Sequence, residues 1–215
     1  MEGIYWSIRA AFTNVYSGWI LWNLFLAFIP LALSVWLYRS QVKSRSLLWW
    51  AGFTVFIAFL PNAPYLLTDI IHLIRGTRYV ATWVIALFFF PLHMAAILLG
   101  FEAYVVSLIN QAFYLKRIGL QHLTLWTELL THGLCAIGIY LGRFHRFNSW
   151  DLVTDPDMVV VNTLNDLTSK RPLAVILVTF IGLTALYWIF KQLTLGLSLR
   201  VKYARMGKDI LDEIA

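Results

Sequence analysis

The chain has 215 residues, of which 60% are apolar and only 13% charged, and its mean hydropathy is +0.71. A water-soluble domain of this length carries about a quarter charged residues, so the composition excludes that class and points to a polytopic membrane protein. The net charge of +6 suits anionic lipid rather than nucleic acid, because the basic residues are scattered among turns, and a single cysteine, Cys135, excludes an intrachain disulfide.

In chain order, Met1 to Gly18 reads as an interfacial lead-in containing Trp and Tyr. Trp19 to Tyr38 is long enough to cross the hydrocarbon, with Pro30 as a kink and Asn23 as its one strongly polar interior residue. Arg39, Lys43 and Arg45 form a basic turn. The apolar run Leu47 to Leu60 is only 14 residues and continues through Pro61-Asn62-Ala63-Pro64 towards Ile74. It is either a short span ending in a re-entrant element or one long helix broken near its end. Val80 to Ile109 reads as one tilted helix kinked at Pro91, although two short spans would make the total six. Leu123 to Leu141 and Leu173 to Phe190 complete five spans.

The longest polar connection, Gly142 to Pro172, contains Asp155-Pro156-Asp157, a helix start with a capping side chain and proline in the first turn. Val160, Leu164 and Leu167 then recur at helical spacing, which predicts a short helix on the membrane surface. Leu193, Leu195, Leu197, Leu199 and Val201 alternate as in a strand, yet no other strand is available to pair with them, so the segment reads as a helical or frayed basic tail, with a strand added to a partner's sheet as the alternative. The fold class is therefore an all-α polytopic transmembrane helical bundle of about five spans with one proline-broken or re-entrant segment. Residues 1–190 form the bundle and 191–215 a basic tail. Ten Lys and Arg fall on the side of the first loop, third loop and tail against seven on the other, which places the C-terminus in the cytoplasm. Under this topology the second and fourth loops share a side.

Ionisable groups at membrane depth are expensive, which makes them candidates for function. On a helix starting at Pro64, Tyr65, Thr68, Asp69, His72 and Arg75 share one face. Asp69 and His72 can touch, as a base and its orienting acid do, or the three charged groups can merely satisfy one another at headgroup level. In the fourth span Gln121, Thr124, Glu128, Thr131, His132 and Cys135 form a second stripe, continued by Gly138 and Gly142. Glu128 and His132 could share a proton or an ion. The stripe also fits interhelical packing through small residues, and two ligands do not define a metal site. A buried Glu128 needs a partner, and His132, His93 or Arg143 could supply it. His93 itself reads as a packing hydrogen-bond donor. A third cluster, Gly142 to Asp151, sets Arg143, His145 and Arg146 with Asn148, Ser149 and Asp151 among Phe144, Phe147 and Trp150. It suits a lipid headgroup or phosphate, and equally an aromatic belt with snorkelling arginines. No glycine-rich phosphate loop, HExxH, paired-cysteine motif or nucleophile elbow is present in the sequence, which leaves the cofactor open.

Phe59-Leu60-Pro61-Asn62-Ala63-Pro64-Tyr65 with Thr68-Asp69 and His72-Leu73, followed by Gly142-Arg143-Phe144 and Arg146-Phe147-Asn148-Ser149-Trp150-Asp151, resembles the bacterial membrane-protein family catalogued as domain of unknown function 1361. Asn23-Leu24-Phe25-Leu26-Ala27 with Pro30 fits the same pattern, while His145 stands where it would place an apolar residue. The resemblance implies a helical membrane fold, a bacterial plasma-membrane location and the two clusters as defining features. It implies no activity.

The residues leave three readings. The first is a polar pocket near one membrane face, built from Asn62, Tyr65, Asp69, His72 and Arg75 with Arg143, Arg146, Asn148, Trp150 and Asp151 opposite, which binds or translocates a lipid headgroup or small anion. The second is an intramembrane enzyme using Asp69, His72, Glu128 or His132 on a lipid-linked substrate. The third is a non-catalytic subunit that docks a protein partner through the basic tail. Membrane lipids are the expected partners in every case.

Overall fold

A computed structural model of the chain describes residues 19–40, 45–71, 74 and 81–207, and no strand occurs among them. The lead-in before Trp19, Lys43, His72, Arg75 and the last eight residues lie outside the described residues.

Helix α1, Trp19–Ser34, contains Pro30 and continues through a π turn, Val35–Arg39. Ser34 Oγ donates to the Leu31 carbonyl at 2.7 Å, a back-bond that competes with the helical ladder where the turn widens. Helix α2, Leu47–Phe59, is capped by Ser46, whose side chain accepts from the Trp49 amide. Beyond it lie Pro61, the single turn α3, Asn62–Tyr65, and a 3₁₀ turn, Leu66–Asp69. Leu60, Pro61, Leu66 and Ile70 all keep right-handed helical dihedrals, so the chain does not re-enter. It is one long helix, disturbed near its end.

A short turn α4, Thr82–Val84, and a π turn, Ile85–Phe89, lead into α5, Phe90–Arg117, with Pro91 in its first turn. Together they make a single 36-residue helix, about 54 Å long, rather than two spans. Helix α6, Thr124–Tyr140, widens into a π turn, Leu141–His145. Helices α7, Asp151–Thr154, and α8, Pro156–Thr168, precede α9, Lys170–Arg205. Asp155 marks the start of α8 as expected, but its carboxylate makes no capping hydrogen bond, and only its carbonyl takes part, accepting from Val159 N at 3.2 Å. Helix α9 passes residue 190 without a break, and the alternating Leu193–Val201 segment is helix, not strand.

Among the described residues four helices are long and apolar enough to cross a membrane: Ile20–Arg39, Leu47–Asp69, Thr82–Arg117 and Lys170–Arg205. The expected fourth of five spans, α6, is not one of them. Thr124, Thr127, Glu128, Thr131 and His132 crowd its first half with polar groups. It nevertheless packs along α9 and against the broken turn α3, returning the chain to the end of the bundle where α2 finished.

Between apolar helices in lipid, close packing holds what the hydrophobic effect cannot. Tyr38, Phe56, Phe101, Tyr104 and Tyr187 are buried at the centre, with Tyr38 edge-on to Phe56 at 5.4 Å and Phe101 edge-on to Phe190 at 5.0 Å. The broken turn sits in a slot between two small residues. A Cβ on Gly138 of α6 would lie 2.8 Å from two carbons of Pro61, and one on Gly100 of α5 would lie 3.3 Å from the Ala63 carbonyl oxygen. The proline break and the glycines fit each other.

Candidate functional site

The break creates the site by what it leaves unbonded. Pro61 and Pro64 bring no amide hydrogen, and the Ala63 amide turns to Leu60 O at 3.2 Å. That shift frees the Phe59 carbonyl, which accepts instead from Asn62 Nδ2 at 2.9 Å. The same amide nitrogen donates its second hydrogen to Ser149 Oγ at 2.8 Å. A single side chain therefore repairs the helix and joins the two clusters, 87 residues apart in sequence.

Ser149 is brought there by the end of α6. After the π turn, Arg146 adopts left-handed dihedrals (φ 62°, ψ 26°), the one non-glycine residue with positive φ among the described residues. This reversal returns the Arg146 and Phe147 amides to Leu141 O and aims the chain back across the bundle. A bulky residue in that region costs about 1–2 kcal/mol, which glycine would avoid. Asp151 then accepts from the Asn148 amide at 2.6 Å and locks the following turn. His145 Nε2 pairs with Asp166 Oδ2 at 2.8 Å and ties α8 alongside.

These elements enclose a cavity of about 620 Å3. Its walls are apolar: Trp22 and Leu26 from α1, Ile57 from α2, Leu134 and Ile137 from α6, Val159 and Leu164 from α8. Its polar groups are Asn23, Asn62, Tyr65, Arg146, Asn148, Ser149 and Thr163. Four of the residues singled out from the sequence, Asn62, Tyr65, Arg146 and Asn148, thus line one space. Asp69 lies behind the wall, 1% exposed, its Oδ2 accepting from Asn23 Nδ2 at 3.0 Å. Its Oδ1 is buried without a hydrogen bond. Arg143 lies in the π turn Leu141–His145 at the end of α6. Asp151 is occupied in its turn, and Trp150 is half exposed at the start of α7. His72 and Arg75 lie outside the described residues.

Glu128 and His132 do not act as a pair. Glu128 Oε1 accepts from Tyr187 Oη at 2.6 Å and from Lys191 Nζ at 2.5 Å, both on α9. His132 Nδ1 meets Tyr104 Oη at 2.5 Å on α5. The partners expected for Glu128 (His132, His93 and Arg143) are replaced by a tyrosine and a lysine one turn apart on the last helix. Glu102, left without a role by its position in the sequence, accepts from Thr194 Oγ1 at 2.7 Å. His93 Nδ1 lies 3.0 Å from the Phe89 carbonyl oxygen, a packing hydrogen bond at the π turn before Pro91. Among the described residues no three His, Cys, Asp or Glu side chains gather as a metal-ligand set.

Sequence reasoning missed three contributors: Lys191, Asn23 as the partner of Asp69, and α8 as a wall of the cavity. Lys191 and Asn23 each carried a signal, as lone polar residues within or at the edge of an apolar span. No curated protein and no solved structure matches the chain. One family model does, over residues 22–185, a stretch that opens on the cavity wall at Trp22 and contains both clusters and Asp166. The chain is an apolar, all-helical membrane protein and belongs to the family described as Protein of unknown function (DUF1361).

Proposed function

We propose that this protein binds an amphiphile with an anionic headgroup, a membrane lipid above all, in the cavity between the two clusters. The observation that carries the reading is the Asn62–Ser149 junction, which closes a largely apolar cavity rimmed by Arg146, Asn148 and Tyr65. Apolar walls accept acyl chains, and an arginine at the rim accepts a phosphate or carboxylate through its planar fork. Arg146 has no acid partner among the described ion pairs and is held in a backbone conformation that glycine would adopt more cheaply. A residue kept at such a position despite its backbone cost is kept for its side chain.

The orientation follows the charges. Arg39, Arg45, Lys116, Arg117, Arg200, Lys202 and Arg205 lie towards one end of the bundle, where no described acid accompanies them. Arg143, Arg146, Lys170 and Arg171 lie towards the other, with the cavity, so the described Lys and Arg other than Lys191 divide seven against four. We place the first end, and with it the C-terminus, in the cytoplasm of a bacterial cell, and the cavity near the outer face of the plasma membrane.

A second reading has one observation in its favour. The unbonded Asp69 Oδ1 is free to take a proton, so an enzyme using Asp69 as base on a lipid-linked substrate would keep the same cavity.

Phosphatidylglycerol carrying a diazirine on its acyl chain tests the proposal. Photolysis should label peptides containing Trp22, Ile57 and Leu134, and Arg146→Gly should abolish that labelling. Labelling of Leu177 and Val178 on the outer face of α9 should persist in the variant. Equal labelling of cavity and outer face, or labelling of the cavity unchanged by Arg146→Gly, would overturn the reading. Turnover of a lipid-linked substrate lost on Asp69→Asn, with labelling intact, would establish the enzyme instead.

A further inference from the structure

The end of the bundle opposite the cavity carries a second set of groups. Asn23 and Arg39 lie 16 residues apart on one helical run, about 24 Å. Around Arg39 three arginines from three elements gather on one aromatic stretch of α5, Arg45 and Arg117 on Tyr114 and Arg39 on the adjacent Phe113. Arg45 Nε donates to Tyr114 Oη at 2.9 Å, with its guanidinium carbon 5.7 Å from the centre of that ring. Arg117 lies 5.3 Å from the same ring centre, and its Nη1 donates to Ser40 O at 2.9 Å. Arg39 stands 4.1 Å over Phe113 and donates through Nε to Asn110 Oδ1 at 2.7 Å, and Asn110 is itself held by Ser34 at 2.9 Å.

Each bond goes to a neutral acceptor. The two ion pairs among the described residues are His145–Asp166 and Lys191–Glu128, so no described acid balances these three charges. Like charges gathered on two adjacent rings repel, and a bound anion would offset that repulsion. The donors remain available as well. A guanidinium has five N–H groups, and the bonds to Asn110, Tyr114 and Ser40 take one from each arginine. The aromatic shelf and the buried Asn110 fix the planes of the forks, and fixed planar forks favour a phosphate over a point-charge acceptor.

We propose that Arg39, Arg45 and Arg117 form a phosphate-binding site on the face opposite the cavity, occupied by the phosphate of an anionic phospholipid. The site is independent of the cavity ligand, since it shares no residue with it.

Native mass spectrometry after exchange into detergent reads the resident lipid directly. Wild-type chain purified from vesicles of phosphatidylglycerol and phosphatidylcholine should retain phosphatidylglycerol, and the triple variant Arg39→Gln/Arg45→Gln/Arg117→Gln should retain it roughly a hundredfold less well. The control Arg200→Gln/Lys202→Gln/Arg205→Gln removes the same charge from the same face and should hold lipid within severalfold of wild type. Melting temperatures of both variants separate loss of the site from loss of the fold, and Arg45→Lys alone, which keeps the charge and loses the fork, should fall between. In lipid-free detergent, inorganic phosphate that raises the melting temperature of wild type but not of the triple variant, without any preference for phosphatidylglycerol, would assign the site to free phosphate. Equal lipid loss in the two triple variants, or no preference for phosphatidylglycerol and no response to phosphate, would overturn the proposal.

Discussion

Two of the buried polar regions among the described residues, around Glu128 and around the proline break, differ in whether their hydrogen bonds close. Around Glu128 the account balances: one oxygen takes both Tyr187 and Lys191, and the neighbouring His132 meets Tyr104. Neither Glu128 nor His132 lines the cavity at the break. At the break the account is left open. Asp69 has a buried oxygen without a bond behind the wall residue Asn23, and Arg146, with no acid partner among the described ion pairs, lines a cavity of about 620 Å3. A closed network holds helices together, whereas an open one beside a void is equipped to receive something. Polarity at membrane depth raises both regions as candidates, and only the balance of bonds separates them.

That contrast can be broken at several points, in order of the expected effect on stability. Glu128→Leu strands the Lys191 ammonium and should cost about 3–5 kcal/mol, while adding Lys191→Met should restore most of it. Denaturant unfolding in detergent measures both, and a neutral single variant would show that the network is not glue. Gly138→Val drives a side chain into Pro61 and should cost about 1–3 kcal/mol in the same assay. Asn62→Ala removes the bonds to Phe59 O and Ser149 Oγ, for about 1–2 kcal/mol, and should also reduce lipid labelling in the cavity by loosening its rim. Labelling unchanged in Asn62→Ala would mean that the junction does not shape the site.

Much of this architecture is written in local patterns. Apolar runs and their flanking cations marked the four long helices, and Asp155-Pro156 marked the start of α8, because each is set by residues close in sequence. The glycines after Cys135 pointed to a packing face, and Gly138 supplies one. Other features depend on distant neighbours. Whether Glu128 would meet His132 on its own helix or Lys191 on α9 turns on how α6 and α9 are rotated, which spacing on one helix does not determine. The span count turns on a related point: α6 has the length of a crossing and returns the chain to the cavity end, but its polar stripe, satisfied by α5 and α9, keeps it out of the four strongly apolar helices. The left-handed backbone of Arg146 carried no sequence signal, since glycine or asparagine is the usual mark of that conformation. The pairing of Asn62 with Ser149 was legible only as a shared side of the membrane, not as a bond.

Arg146→Gly is the smallest change to the fold and the most direct test of the site. It relieves a left-handed arginine, so stability should hold or rise by about 1 kcal/mol, while labelling of Trp22, Ile57 and Leu134 by diazirine phosphatidylglycerol should disappear. A variant that unfolds no more easily and loses the lipid is the predicted result. One that keeps the lipid in the cavity at wild-type level would contradict the claim that the open cluster is a binding site.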